Sequence, residues 1–170
     1  VETLNNMDFM LMSLEGASRA FIQDASEMTG LVADIGFAFG VATHEVLKVS
    51  RCDVMAVDLL QAHLDILKSE VEPKHLSRLQ CVAASFPSGL EWTDEQLSAA
   101  HASLVIPFLS GLEIDRDLAN FMRHLSPVAL YTLMPCRYTS RFFQILRGSI
   151  AKELSMAIVG LAKSIIYRII

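Results

Sequence analysis

Short apolar runs alternate with amphipathic segments over most of the chain, from about residue 13 to residue 135. Apolar runs that are bounded by polar or glycine-containing turns, and that are too short for a buried helix, predict strands of a buried sheet. The predicted strands are residues 31–35, 53–57, 79–83, 99–106 and 128–133. Between them, apolar positions at spacings of three and four predict helices. The predicted helices are residues 13–27, a helix that begins near Gly40 and includes 43–49, then 62–70 and 114–125, with a helical turn at 94–97.

The alternation of strands and helices predicts the fold class. Consecutive strands that are separated by one helix pair in parallel, through right-handed connections. We therefore expect an α/β fold with a doubly wound, mostly parallel sheet and helices on both faces. It would form a single domain of residues 1–170 with a core at about 13–135. The tail, residues 136–170, is apolar and helical in pattern and shows no convincing sixth or seventh strand, which leaves an incomplete C-terminal part of the fold open.

Composition supports a sheet that is covered on both faces. Hydrophobic residues make up 52% of the chain, and the mean hydropathy of +0.40 is high for a protein with a solvated surface. Parallel sheets between helices have strands of this continuously apolar kind. The net charge of −5 argues against general nucleic-acid binding, which usually depends on a basic surface that neutralises phosphates.

The cysteines and the apolar tail are the features of the sequence that indicate the cellular compartment of the protein. Cys52, Cys81 and Cys136 are widely spaced and form no Cys-x-x-Cys pair, so neither a disulfide framework nor a metal site is expected. Together with a start that lacks a basic and then apolar leader, this favours a reducing cytoplasm. Lys163 and Arg168 interrupt the apolar run of the tail, which falls short of the roughly 20 residues of a transmembrane span. We expect the tail to pack on the sheet, on a partner protein or on a second copy, with a membrane surface as the alternative.

The segment after the first predicted strand carries the strongest functional pattern. Gly36, Ala38 and Gly40 have little or no side chain, so a ligand can approach the backbone closely there. The helix that follows offers backbone donors and the positive end of its dipole. Asp58 follows the second predicted strand, where its carboxylate can accept hydrogen bonds from both hydroxyls of a ribose. Together these features predict a site for a ligand that carries a ribose and an adenine.

A dinucleotide site is a competing interpretation of this segment. Its fingerprint, Gly-x-Gly-x-x-Gly, needs a third glycine for close packing of the helix. Counted from Gly36, the second and third glycine positions hold Ala38 and Val41, and Asp34 inside the motif is unusual for dinucleotide folds. The pattern therefore favours S-adenosylmethionine, and an NAD-dependent oxidoreductase stays the second alternative.

Several segments resemble the class I S-adenosylmethionine-dependent methyltransferases. Residues 32–40, Val-Ala-Asp-Ile-Gly-Phe-Ala-Phe-Gly, are similar to the first motif of that family, an acid followed by spaced glycines. Residues 57–59, 78–87 and 104–111 resemble its ribose-binding acid, its adenine loop and the end of its fourth strand. The resemblance covers residues 18–135 and implies a Rossmann-like methyltransferase fold with S-adenosyl-L-methionine as the cofactor.

The resemblance also implies roles for individual residues, carried over position by position. The implied cofactor-binding residues are Asp34, Gly36, Phe37, Ala38, Gly40, Asp58, Leu59, Ser85, Phe86 and Leu104. Gly36, Phe37 and Ala38 would line the methionine part, and Asp34 would support this loop or reach the amino group through water. Asp58 would hold the ribose, and the residues after the second and third strands would surround the adenine. Leu104 would face the cofactor near the sulfonium.

Three departures from the family pattern bear on activity. Ala38 replaces a glycine, which the loop tolerates if the φ angle of that residue is negative. Ser85 replaces an acid that often accepts from the adenine amino group, and the start of the fourth strand lacks the usual acid. The first alternative to a methyltransferase for a small-molecule acceptor is therefore a catalytically inactive module that still binds the cofactor.

The sequence assigns no catalytic residue. Transfer of a methyl group from a sulfonium needs no protonation of the leaving group, so alignment of donor and acceptor supplies much of the acceleration. His44 and His63 are expected on solvated helix surfaces, His101 in the core with a hydrogen bond, and His124 near the end of a helix.

Overall fold

A computed structural model gives the architecture of the chain. It describes residues 14, 16–90, 97–102, 105, 109–110, 116, 121 and 125–133, the last range as backbone. The helices are α1 (Gly16–Ser26), α2 (Val41–Val49) and α3 (Gln61–Glu70), followed by a 3₁₀ helix at Pro73–Arg78. The strands are β1 (Leu31–Ile35), β2 (Asp53–Asp58), β3 (Leu79–Ala83), β4 (Leu97–Ala102) and β5 (Leu125–Leu133).

The five strands form one parallel sheet in the order β3-β2-β1-β4-β5. In the centre of the sheet, Ile35 of β1 pairs with Val57 of β2 and with Ala102 of β4. The chain therefore runs from β1 to one side of the sheet and returns to build the other side. Such a reversal opens a crevice at the carboxyl ends of the central strands, which is where ligands bind in open α/β sheets. The predicted doubly wound α/β fold is confirmed.

Both faces of the sheet are covered, as the apolar runs predict. Alternate residues of β1 belong to two separate hydrophobic clusters, with Val32 on one face and Ile35 on the other. The first cluster includes Phe21 of α1, together with residues of α2 and α3. On the opposite face, Phe86 and Phe121 cover the sheet. All five residues of β1 are buried, since a central strand between two packed layers has no solvent-facing side.

Two element boundaries differ from the sequence-based prediction. β4 begins at Leu97, which was expected to end a helical turn, and β5 begins at Leu125, which was expected to end a helix. These two leucines pair with each other across the sheet. An apolar residue at a boundary satisfies either pattern, and the backbone pairing with the neighbouring strand decides between them. The rest of the predicted helical turn, most of the predicted helix at 114–125 and the whole tail at 136–170 lie outside the described residues.

The described residues contain neither a membrane-spanning helix nor a cluster of metal ligands. None of the helices there has the length and apolarity needed to cross a membrane. Within the same part of the chain, no group of three or more His, Cys, Asp or Glu side chains is arranged to hold a metal ion.

Candidate functional site

The loop between β1 and α2 is a compact turn at the carboxyl edge of the sheet. Gly36, Ala38 and Gly40 adopt positive φ angles of 66°, 52° and 70°. The amide of Gly36 donates to the carbonyl of Val57 at 2.8 Å, which ties the start of the loop to β2. The amide of Gly40 donates to the carbonyl of Phe37 at 2.9 Å and closes the turn before α2. Two backbone hydrogen bonds, one to β2 and one within the loop, therefore hold the turn in place.

Ala38 departs from the expected conformation. We expected an alanine to be tolerated there with a negative φ, and the structure gives it a positive one. The hydrogen bonds on either side of Ala38 fix the turn, so the left-handed conformation is imposed on the alanine. This conformation brings the side chain close to its own carbonyl and costs roughly 1–2 kcal/mol for a residue with a Cβ.

Packing inside the chain also requires two of the glycines. A Cβ on Gly36 would collide with the side chain of Val105, and a Cβ on Gly40 would collide with Leu67. Phe37, between these glycines, is buried in the hydrophobic cluster that α2 and α3 share. The packing of the protein itself therefore requires glycine at these two positions, whether or not a ligand approaches the loop.

Asp34 is a buried carboxylate of β1 that bonds to α2. The carboxylate is 2% exposed and accepts a hydrogen bond from Oγ1 of Thr43 at 2.7 Å, which connects β1 to the first turns of α2. Burial raises the pKa of this carboxyl above its usual value, and the nearby His101 and the Thr43 hydrogen bonds oppose that effect. The role that the family resemblance implies for Asp34 in cofactor binding stays a prediction. Thr43 was not singled out from the sequence.

Asp58 lies at the end of β2 between the loop and the start of α3. Its Oδ1 accepts from the amide of Leu60 at 3.0 Å and lies 2.9 Å from Nδ1 of His63. Among the described residues, its Oδ2 accepts one long hydrogen bond, of 3.3 Å from the amide of Ala38. The residue is 9% exposed. The two oxygens therefore differ: protein donors occupy Oδ1, and Oδ2 keeps capacity to accept another hydrogen bond.

His63 contradicts its predicted surface position. It lies in the first turn of α3, is 2% exposed, and directs Nδ1 at the Asp58 carboxylate. Its ring packs on that of Phe39 in the loop, with 5.7 Å between the ring centroids. The polar neighbours of His63 in the sequence suggested a solvated face, but the first turn of a helix folds back over the strand end that precedes it. The sequence feature that could have indicated this contact is Asp58, an acid five positions earlier at the end of a predicted strand.

The other histidines behave largely as expected. His101 is buried in β4, lies 3.2 Å from Oγ of Ser18 and stacks on Phe21, so its predicted place as a hydrogen-bonded core residue is confirmed. His44 is half-buried on α2 and lies 3.6 Å from a carboxylate oxygen of Glu70. His124 lies outside the described residues.

Residues implied in adenine binding follow the ends of β2 and β3. These ends are adjacent, because the amide of Ala84 donates to the carbonyl of Asp58 at 3.0 Å. Leu59 is 62% exposed, which is unusual for a leucine, and Ser85 is also exposed. Phe86 is buried against Phe121 in an edge-to-face contact, so its ring belongs to the core. Leu104 lies outside the described residues.

Comparison with known proteins identifies the fold. No protein-family model matches the chain, and no curated protein matches its sequence. Among solved structures, a TehB-like SAM-dependent methyltransferase from Corynebacterium glutamicum matches with a TM-score of 0.61 at 20% identity, over 81% of this chain and 73% of that one. The glycopeptide N-methyltransferase MtfA matches with a TM-score of 0.55 at 19% identity, over 66% of this chain and 52% of that one. This chain thus spans about half the length of MtfA.

A third structure shows that the fold hosts different reactions. The [4+2]-cyclase SpnF matches with a TM-score of 0.60 at 18% identity, over 78% of this chain and 57% of that one. Likeness at these identities concerns the fold, because function depends on the site that a fold carries. The chain has the Rossmann-like fold of the class I S-adenosylmethionine-dependent methyltransferases.

Proposed function

We propose that this protein binds S-adenosyl-L-methionine at the carboxyl edge of β1 and β2 and transfers its methyl group to a small-molecule acceptor. The observation that carries the proposal is Asp58. Its Oδ2 faces the tight loop after β1 and retains acceptor capacity, although the residue is almost buried. A carboxylate in this position suits a ribose hydroxyl, since hydrogen bonds to a charged group contribute roughly 1.5–3 kcal/mol. MtfA, which shares the fold, was crystallised with S-adenosylmethionine.

The remaining parts of the cofactor would contact neighbouring elements. The loop of residues 36–40 would lie along the methionine part, with Asp34 supporting it from below through Thr43. The exposed side chain of Leu59 would pack on the adenine ring, and Ser85 would meet the edge of that ring. Adenine is flat and apolar on its faces, so an exposed leucine beside the ribose acid is a suitable partner.

Methyl transfer at this site would rest on alignment. The sulfonium releases a neutral thioether, so holding the acceptor atom in line with the methyl group gives much of the acceleration, with effective molarities of about 10⁵–10⁸ M. A small acceptor fits the net charge of −5, which does not favour nucleic acid. A structure of a Haemonchus contortus phosphoethanolamine N-methyltransferase with phosphoethanolamine matches with a TM-score of 0.52 at 20% identity, over 65% of this chain and 23% of that one.

The proposal also includes a cytoplasmic location and a packing partner for the apolar tail. Cys52 and Cys81 are free thiols, and burial raises the pKa of both, which keeps them protonated and unreactive. Free thiols suit a reducing cytoplasm. The apolar tail would pack on the sheet, on a protein partner or on a second copy.

The ribose assignment is tested by Asp58→Ala. We expect S-adenosylhomocysteine to bind about tenfold more weakly or worse, because a charge-assisted hydrogen bond is lost. Isothermal titration calorimetry measures the dissociation constant, and circular dichroism verifies that the variant is folded at the temperature used. Asp65→Ala is the control, since Asp65 lies on α3 with its hydrogen bond to Gln61 on the exposed surface. Equal affinity of the Asp58 variant and the wild type would remove the ribose assignment.

A cofactor-binding module without methyl transfer is the second candidate. The match to SpnF favours keeping it, because that protein is a cyclase on the same fold. Titrations with S-adenosylmethionine, S-adenosylhomocysteine and NAD separate the possibilities. Binding of NAD alone would support the oxidoreductase and reject both candidates. Binding of S-adenosylmethionine without methyl transfer to any member of a panel of small amines, thiols and carboxylic acids would favour the module.

A further inference from the structure

We propose that His63 is a positioning residue, which holds Oδ1 of Asp58 and so presents Oδ2 alone to a ribose hydroxyl. The inference rests on the proposed function and adds a residue and a geometry to it. An ionised carboxylate only accepts hydrogen bonds, so Nδ1 of His63 carries the proton in the 2.9 Å contact with Oδ1. Together with the amide of Leu60, this contact fills the two acceptor positions of Oδ1.

The environment of His63 shows what the imidazole contributes. Its Nε2 is fully buried, and no group of the described residues forms a hydrogen bond with it. A buried polar atom without a partner costs roughly 1–3 kcal/mol. An apolar side chain of similar size would avoid this cost and fill the same space. The contribution of the histidine that an apolar residue cannot supply is therefore the Nδ1–H donor to Asp58.

Fixing Oδ1 determines where Oδ2 lies. A carboxylate without such contacts can rotate about its last bond, whereas two donors on one oxygen hold the plane of the group. Oδ2 then faces the amide of Ala38, with which it makes a weak contact of 3.3 Å. Packing of the His63 ring on Phe39 connects this arrangement to the same loop. A ligand hydroxyl would therefore meet a single, oriented oxygen, and the direct contact of both ribose hydroxyls with two separate oxygens is not expected.

Two substitutions separate the hydrogen bond from packing. His63→Asn keeps a donor at about the position of Nδ1, and His63→Met keeps an apolar side chain of similar length without a donor. We expect the Asn variant to bind S-adenosylhomocysteine within about threefold of the wild type, and the Met variant to bind it about fivefold to tenfold more weakly. His44→Met, on α2, controls for the loss of a histidine outside the site.

The outcomes distinguish this inference from the function on which it rests. Wild-type affinity of the Met variant, or equal weakening by Met and Asn, would overturn the positioning role while leaving the ribose assignment intact. Failure of the wild type to bind S-adenosylhomocysteine would reject the proposed function, and the role of His63 with it. A measurement on the wild type needs no variant: ¹⁵N spectra of the histidine rings should show a proton on Nδ1 of His63. A ring that is protonated on Nε2 alone would contradict the inference.

Discussion

At the residue scale, the methyl group of Ala38 makes the left-handed backbone conformation of this residue unfavourable. Hydrogen bonds of the flanking glycines fix the turn, and the alanine between them adopts a φ of 52°. In the unfolded chain, the same methyl group restricts the backbone and reduces the entropy that folding costs. The two effects have opposite signs, so the balance at this position is measurable.

Ala38→Gly should stabilise the protein by up to about 1.6 kcal/mol. Relief of the left-handed conformation gains roughly 1–2 kcal/mol, and the greater freedom of glycine in the unfolded chain offsets about 0.4–1 kcal/mol of it. Chemical denaturation measures the change in the free energy of unfolding. Ala84→Gly is the matched control, because Ala84 has no positive φ and the same substitution should destabilise there. Equal destabilisation by both substitutions would show that Ala38 carries no strain.

At the element scale, Arg78 ends the 3₁₀ helix and closes the carboxyl end of α2. Its Nη1 donates to the carbonyls of Ser50 at 3.1 Å and Cys52 at 2.8 Å, and its Nη2 donates to the carbonyl of Leu47. The last carbonyls of a helix have no partner within the helix, and a cation there also meets the negative end of the helix dipole. One side chain thus joins α2, the turn before β2 and the start of β3.

Arg78→Met should destabilise the fold by roughly 1.5–3 kcal/mol or more. The apolar stem stays, but several carbonyls lose a charged donor. Arg78→Lys should recover only part of the loss, because a lysine ammonium cannot reproduce the planar fork of a guanidinium. Arg51→Met, at an exposed arginine, corrects for the change in net charge. If Lys restored full stability in thermal unfolding, the charge alone would account for the role of Arg78.

At the scale of the whole molecule, the buried Asp34 affects how stability depends on pH. Burial raises the pKa of its carboxyl in the folded state, so the folded protein holds this proton more tightly than the unfolded chain does. The group therefore favours the folded state most below the usual pKa of an aspartate, and that contribution is lost as the pH rises through the raised pKa. The charged groups that act on it are His101, on the neighbouring strand, and Asp58.

Asp34→Asn should remove this pH dependence. An asparagine oxygen can still accept from Thr43, and it has no proton to lose. The variant should therefore gain stability relative to the wild type as the pH is raised from about 4 to about 7. Urea denaturation at several pH values measures the difference, with Asp53→Asn as the control at an exposed aspartate. A difference that stays constant over this range would mean that burial imposes no cost on the Asp34 carboxylate.

Local pattern was sufficient for the order of elements around the site. The apolar run of β1, the small residues after it and the acid at the end of β2 predicted the strand, loop and acid where the structure has them. These features follow from residue types and their spacing, because burial on both faces and tight turns restrict which residues are allowed. The same reasoning could not separate a helix end from a strand start at Leu97 and Leu125, where both patterns contain an apolar residue.

By itself, the sequence determined that this protein forms a parallel α/β sheet with an acid and a small-residue loop at the carboxyl ends of its central strands. Only the tertiary structure decided that His63 is buried against Asp58, that Ala38 has a positive φ and that Val105 lies over Gly36. The first group of features depends on periodicity along the chain. The second depends on which side chains from separate elements meet, and no local pattern encodes those contacts.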